Sequence, residues 1–170
     1  SNSVPEPTSL DDLLKPEYRG AVALNGDPTQ AGAAFAALGL ATVHSGGTLD
    51  DFTPGIEFFE KLNDAGNFIP VNVTGATIAA GETKVAFDWS YNNLAAAATV
   101  DGWKVTTLPG AVYTSFYNQA INKDAPHLAA ARLWQEFLYS PEAQNLFIVG
   151  GAYPVTIQAL QDAGTVDSAA

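Results

Sequence analysis

Residues 84–94 read KVAFDWSYNNL, a short apolar run that stops abruptly at an acid and two aromatic side chains. Residues 85–87 are typical of a buried strand, and the residues after Tyr91 are typical of a helix. Residues 21–35, AVALNGDPTQAGAAF, repeat this order of apolar strand, polar turn and alanine-rich helix. Strands that alternate with helices predict an α/β fold in which some strands pair in parallel.

Two further strands and several further helices are expected. Residues 103–107 alternate between apolar and polar side chains, and residues 113–121 form a longer β-like run. Thr48 is placed to cap a helix with acids in its first turn, and Gly66 is placed to end that helix. The remaining helices are predicted within residues 9–14, 29–44, 74–81, 92–98, 127–140, 142–151 and 155–162.

The composition disfavours or excludes several classes of function. The 170 residues include 18 acidic and 7 basic ones, and the net charge of -11 disfavours nucleic acid as a partner because it repels phosphates. The absence of cysteine excludes disulfides, thiolate catalysis and cysteine-ligated zinc. No apolar run reaches the roughly 18 residues of a membrane span. Because the chain begins with Ser1-Asn2-Ser3 and has no methionine, we expect a processed or engineered piece of a longer protein.

The first candidate site consists of Asp88, Trp89 and Tyr91, which follow a predicted strand. Ligands of open α/β sheets bind at the carboxyl ends of strands, and this cluster lies at such an end. The Asp88 carboxylate can neutralise a cation, the face of Trp89 can hold an ammonium group, and Tyr91 can coordinate Fe(III) as a phenolate. The structural alternative is that Asp88 or Ser90 caps the next helix and that Trp89 packs in the core.

Two more segments are candidates for ligand contact. Residues 26–32, GDPTQAG, form an entrance to a helix whose backbone N–H groups can meet an anion, with side-chain contacts from Thr29 and Gln30. The alternative for this turn is a capped helix start with nothing bound. Tyr113 and Tyr117 lie on one face of the longer β-like run, although aromatic residues also favour strands for structural reasons.

An enzyme is the less favoured class. The chain has no G-x-S-x-G motif, and His44 and His127 have no second ligand at a spacing suited to a metal. Asp88 and Glu82 would be an acid–base pair only if they were close, and a strand's length separates them. We therefore expect a binding protein without catalytic residues, a bound metal or a cofactor.

The order of several motifs resembles one known family. Residues 124–147 contain a Pro-His turn, the helix AAARLWQEFL and the helix start SPEAQ. The segments LLKPEYRGAVALNGDPTQAGAAF and GATIAAGETKVAFDWSYNNLAA precede them. Over residues 10–160 these motifs together resemble the extracellular solute-binding proteins of bacterial ABC importers, in the group that includes ferric-iron, polyamine, thiamine and phosphonate binders.

The resemblance implies a periplasmic-binding-protein-like fold of type II, of which this chain looks like the C-terminal portion. Such proteins have two α/β lobes joined by hinge strands, with the ligand between them. Residues 8–108 would form the second lobe as a three-layer α/β/α structure. Residues 109–150 would supply a hinge strand and first-lobe helices, and residues 151–170 would return to the second lobe and form a tail.

The resemblance also implies a function. The chain would capture a small solute in the interlobe cleft and deliver it to ABC permease subunits, in the periplasm or outside the cell and with or without a lipid anchor. Net acidity and the Asp88–Trp89 pair favour an amine such as a polyamine, and ferric iron or a phosphonate is the alternative. An alternative of another class is a truncated domain that self-associates through residues 113–147 and binds no ligand alone. The implied ligand contacts are Asp88, Trp89, Tyr91, Thr29, Gln30, Tyr113 and Tyr117.

Overall fold

Two short parallel strands run side by side, at the two places where the sequence predicts them most clearly. In the computed structural model, strand β1 (Val22–Leu24) pairs with strand β2 (Val85–Phe87). Leu24 lies opposite Phe87, so both strands end at the same edge of the sheet. This parallel pair, with helices around it, is compatible with the predicted α/β class.

The chain divides into two compact units, residues 1–115 and residues 116–170. The structure describes residues 3–110 and 112–167. The start of the chain at Ser1-Asn2 and the last three residues of the predicted tail lie outside the described residues, as does Ala111.

Helices surround the two strands of the first unit. Two 3₁₀ helices (Leu10–Leu14 and Pro16–Tyr18) come first, and they are followed by helices α1 (Gly32–His44), α2 (Thr53–Asp64), α3 (Gly75–Ala79) and α4 (Ser90–Ala97). Ser9 caps the first 3₁₀ helix by accepting the N–H of Asp12 at 3.3 Å. Gly66 follows the end of α2 with φ +70°, a conformation that favours glycine and confirms the predicted stop.

Alternate residues of β1 face different parts of the core. Val22 belongs to an apolar cluster shared with the 3₁₀ helices and α2, whereas Ala23 belongs to a second cluster shared with α3 and α4. Leu24 packs with residues of α1. The strand is therefore buried along its whole length, with helices packed against both of its faces. The buried members of the first cluster are Leu10, Leu13, Tyr18, Ala21, Val22, Ala41, Phe58 and Leu62.

The strands predicted at residues 103–107 and 113–121 do not form. Within the described chain, neither segment has a backbone ladder partner. Lys104 instead pairs with Glu6 at 2.7 Å, and the ring of Tyr113 lies against α1. An alternating pattern shows that a segment has the side chains typical of a strand. It does not show that a neighbouring backbone is present to form the hydrogen bonds of a sheet. The prediction of these two strands is wrong for that reason.

The helix expected to begin at Thr48 begins at Thr53. Thr48 forms an isolated bridge with Asp51, and Asp51 Oδ1 accepts the N–H of Thr53 at 2.9 Å. Asp51 therefore supplies the acceptor near the helix start that Thr48 was expected to supply.

Three helices are described in the second unit, namely α5 (Leu128–Leu138), α6 (Pro141–Val149) and α7 (Ile157–Asp162). Ser140 caps α6 by accepting the N–H of Ala143 at 3.2 Å, as the SPE motif indicates. Gln144 is buried and donates to the Leu138 carbonyl at 2.6 Å, while its own oxygen accepts from Thr156 Oγ1 at 2.9 Å.

Residues 151–167 pack against α6 within the second unit. Asn145 of α6 donates to the carbonyl of Thr165 at 2.8 Å and accepts the N–H of Asp167 at 2.7 Å. These contacts fix the C-terminal segment to its own unit, and the division of the chain into two lobes and a hinge stays a prediction.

The carboxylate of Asp12 makes the start of the first unit sensitive to acid. The Lys15 ammonium, 2.6 Å from Oδ1, and Thr8, whose hydroxyl is 2.7 Å from Oδ2, hold the pKa of Asp12 far below its usual 3.8. Because the folded pKa is lowered, the stabilisation is present above the usual pKa and is lost as pH falls toward the folded value. We expect Asp12→Asn to lower Tm at pH 7, and the difference from wild type to shrink below about pH 4.

Thermal unfolding followed by circular dichroism between neutral and acidic pH measures this difference. Asp101→Asn, an exposed carboxylate with no hydrogen bond to the described residues, is the control. A Tm difference for Asp12→Asn that stays constant across the whole pH range would contradict the assignment.

Candidate functional site

The carboxyl ends of β1 and β2 bring two polar residues together. Asn25 follows β1 and Asp88 follows β2, and the N–H of Asn25 donates to the Phe87 carbonyl at 3.1 Å. This edge is the position at which α/β sheets bind ligands. The structure therefore places Asp88 where the sequence analysis expects it, beside a residue that the sequence analysis did not select.

Three donors converge on one oxygen of Asp88. Oδ1 accepts from Asn25 Nδ2 at 2.8 Å, from the N–H of Trp89 at 2.7 Å and from Asn92 Nδ2 at 2.9 Å. No donor from residues 3–110 or 112–167 reaches Oδ2. The carboxylate is thus held firmly through one oxygen, while the other has no partner among the described residues.

A surface pocket of about 360 Å³ opens at this edge, and we call it the Asp88 pocket. Its volume lies near the lower end of the range of roughly 300–1,000 Å³ that is usual for small-molecule sites. Asp88 lines the pocket together with Asn25, Asn92 and apolar side chains such as Val73, Ile78 and Ala96. The lining combines one carboxylate with amide groups and an aliphatic wall.

The ring of Trp89 lies against the start of α1 and is not part of the lining of the Asp88 pocket. A Cβ built on Gly32, the first residue of α1, would be 3.7 Å from Trp89 Cζ2. Trp89 occupies the cap position of α4, and no side chain in the described part of the chain makes a cap hydrogen bond to that helix, although Asp88 Oδ1 accepts the N–H of Trp89 at its start. Tyr91 is half-buried in the first turn of α4.

Several N–H groups of the turn at residues 26–32 form hydrogen bonds within the turn itself. Asp27 Oδ1 accepts from the N–H and the hydroxyl of Thr29 at 2.8 and 2.7 Å, and the Asp27 carbonyl accepts the N–H groups of Gln30 and Ala31. The amide and the hydroxyl of Thr29 lower the pKa of Asp27, so its carboxylate stays ionised. The N–H groups of Thr29, Gln30 and Ala31 thus already have acceptors and a negative charge lies in the same turn, and anion contact at this helix entrance stays a prediction.

Thr29, Gln30, Tyr113 and Tyr117 do not join the cluster around Asp88. The side chains of Thr29 and Gln30 lie on the exposed surface of the turn. Tyr113 packs against Gly39 of α1, where a built Cβ would lie 2.6 Å from its ring atom Cε2. Tyr117 belongs to the second unit and is 76% exposed, so the strand face that it was expected to share with Tyr113 does not exist.

Asn25 and Asn92 are the two site residues that sequence reasoning missed. Asn25 could have been found, because it is the first polar residue after an apolar strand, as Asp88 is. Asn92 gives a weaker signal, since the side chain of an asparagine near a helix start usually forms hydrogen bonds with nearby backbone groups.

Two kinds of feature are not found among the residues that the structure describes. No helix there combines the length and the apolar character needed to cross a bilayer. No three histidine, aspartate or glutamate side chains there gather as a set of metal ligands.

The comparison with known families agrees with the motif order. The model of the family described as bacterial extracellular solute-binding proteins matches residues 2–168. No curated protein gives a significant match to the chain. The family match confirms the expected transport role in general terms and the location in the periplasm or outside the cell. The chain belongs to the bacterial extracellular solute-binding proteins.

Proposed function

We propose that this chain is the substrate-binding component of an ABC importer and that it captures a small amine at the Asp88 pocket. The observation that carries the proposal is the Asp88 carboxylate, anchored through Oδ1 beside a pocket at the carboxyl ends of both strands. The pocket would form one wall of an interlobe cleft of type II, with residues 8–108 as the second lobe. The permease subunits would then bind the loaded protein and take up the released solute, which would complete the transport step.

Charge favours an amine over the other solutes considered. The chain carries a net charge of -11, and both Asp27 and Asp88 lie near this edge. An ammonium group gains from the Asp88 carboxylate, and a cation–π contact worth about 0.5–2 kcal/mol would add to this for a solute that reaches past the pocket lining to the face of Trp89. A phosphonate would meet like charges, and a ferric ion would have only Tyr91 of the three candidate tyrosines at this place.

A self-associating chain is the alternative of another class. It would draw on the exposed apolar side chains of the second unit, among them Phe116, Leu133, Trp134 and Leu146, since large exposed apolar areas favour association. Light scattering over a range of concentrations distinguishes this alternative, because self-association raises the measured mass with concentration. A lipid anchor stays a proposal that rests on the family alone.

Asp88→Asn tests the proposed site. The amide oxygen of Asn can still accept from Asn25, Trp89 and Asn92, so the fold is retained while the charge is lost. We expect the affinity for the captured amine to fall by about tenfold to a hundredfold, because the NH₂ group that takes the place of Oδ2 cannot accept from an ammonium group and a charge-assisted hydrogen bond is lost. Calorimetric titration of the chain with polyamines, thiamine, aminoethylphosphonate and Fe(III) citrate measures the affinities.

Asp64→Asn is the matched control for this experiment. Asp64 is an exposed residue at the end of α2, and its substitution changes the net charge by the same amount. A solute whose affinity falls equally in Asp64→Asn responds to the overall charge, and affinities that are unchanged in Asp88→Asn would place the site elsewhere.

A further inference from the structure

We propose that Asn25 and Asn92 orient Asp88 so that the pocket selects a primary ammonium group on a short aliphatic chain over a guanidinium group. This inference rests on the proposed function and names the class of solute for the same pocket. Asn25 and Asn92 act as positioning residues for Asp88 and as direct acceptors for the solute.

The orientation of both asparagines follows from the chemistry of a carboxylate. An ionised carboxylate can only accept hydrogen bonds, so each asparagine must direct its NH₂ group toward Asp88. Both do so, at 2.8 Å from Asn25 Nδ2 and 2.9 Å from Asn92 Nδ2 to Asp88 Oδ1. The amide oxygens of Asn25 and Asn92 then have no donor in the described part of the chain, as is true of Asp88 Oδ2.

The other polar side chains of the pocket are already engaged. The Thr74 hydroxyl accepts the N–H of Thr77 at 3.1 Å, and the Thr99 hydroxyl donates to the Ala96 carbonyl at 3.2 Å. Beside these hydroxyls, the amide and carboxylate side chains offer a solute three acceptor oxygens that have no donor among the described residues, and one of the three is charged. A primary ammonium group carries three N–H donors and a positive charge, which matches this set.

The remaining lining determines what the ammonium group is attached to. Val73, Ile78 and Ala96 contribute apolar surface to the Asp88 pocket. Methylene groups gain free energy when they are buried against such a surface. A short aliphatic chain is thus the favoured substituent.

A guanidinium group meets this site less well. Its strongest contact with a carboxylate is bidentate, with two parallel N–H donors directed at the two oxygens. Asp88 Oδ1 already accepts three hydrogen bonds. One of the two parallel N–H donors of the guanidinium group therefore finds no available lone pair. A primary ammonium group, whose three N–H donors rotate freely, needs only Asp88 Oδ2 and the amide oxygens of Asn25 and Asn92 as acceptors.

Calorimetric titration of the 170-residue chain with n-butylammonium chloride and n-butylguanidinium chloride at matched ionic strength tests the inference. We expect n-butylammonium to bind at least about tenfold more tightly, since the guanidinium group loses a charge-assisted hydrogen bond. In Asn25→Ala and in Asn92→Ala the preference should shrink several-fold, because each substitution removes an acceptor and frees a lone pair of Oδ1. A general loss of folding would weaken both probes and leave their ratio unchanged.

Asn63→Ala, an exposed asparagine of α2, is the control and should keep the wild-type ratio. Equal affinities for the two probes, a ratio unchanged in both asparagine variants while they keep the wild-type circular dichroism spectrum, or no binding of n-butylammonium would each overturn the inference. If the inference is overturned, the proposed function still holds when a different solute binds more weakly to Asp88→Asn than to the wild-type chain. If no solute shows dependence on Asp88, the proposed function fails as well.

Discussion

Gly55→Ala is expected to lower the free energy of unfolding of the first unit by about 3 kcal/mol, the upper end for a methyl group forced into a packed site. Gly55 of α2 lies directly against α1. A Cβ at this position would be 2.6 Å from the carbonyl oxygen of Leu38 and 2.9 Å from the backbone nitrogen of Thr42, and closer still to Thr42 Oγ1. Two of these atoms belong to the backbone of α1, so the helices must separate to admit the methyl group.

Urea unfolding followed by circular dichroism measures this loss of stability. Gly75→Ala at the start of α3 is the matched control, because a Cβ there meets nothing within 4 Å. The control should be neutral or should raise stability by up to about 1 kcal/mol, since alanine restricts the unfolded chain. Equal stabilities for the two variants would show that α1 and α2 can move apart at little cost.

Leu62→Ala is expected to have a comparable effect, a loss of about 3 kcal/mol, because it leaves a cavity in the largest apolar cluster. Leu62 is fully buried on α2 and belongs to the same cluster as Leu10, Leu13 and Val22. These residues come from the 3₁₀ helix and from β1, whose own burial limits how far they can collapse into the space. The measurement is again the urea dependence of the circular dichroism signal.

Leu49→Ala controls for the chemistry of the substitution. Leu49 is 51% exposed, so its truncation should cost about 1 kcal/mol or less. A loss for Leu62→Ala that does not exceed the loss for Leu49→Ala would mean that the cluster can relax into the vacated volume.

The paired strands could be predicted because their signals are local. Residues 22–24 and 85–87 are short apolar runs that end in polar residues, and both form strands. The alternation of residues 103–107 is also local, but a strand forms only where a second backbone is present to pair with it. Here the extended segment carries a side-chain ion pair from Lys104 to Glu6 in place of a ladder.

Half of the candidate site could be predicted in the same way. Asp88 and Trp89 follow a predicted strand directly, so their place at a strand end was evident. The hydrogen bond from Asn25 to Asp88 joins residues 63 positions apart, and it exists because Leu24 lies opposite Phe87. A shift of one residue in that pairing would have moved Asn25 out of reach.

The family, the alternation of strands and helices and the acid at a strand end could all be inferred from the amino-acid sequence, because each of these depends on residue type and spacing along the chain. The folded arrangement was needed to show which oxygen of Asp88 is occupied, that Asn25 and Asn92 hold it, and that Tyr117 lies in another unit. Hydrogen bonds and packing between distant residues depend on strand register and on helix contacts. Those quantities arise only when the chain is folded, since no local pattern encodes the partner.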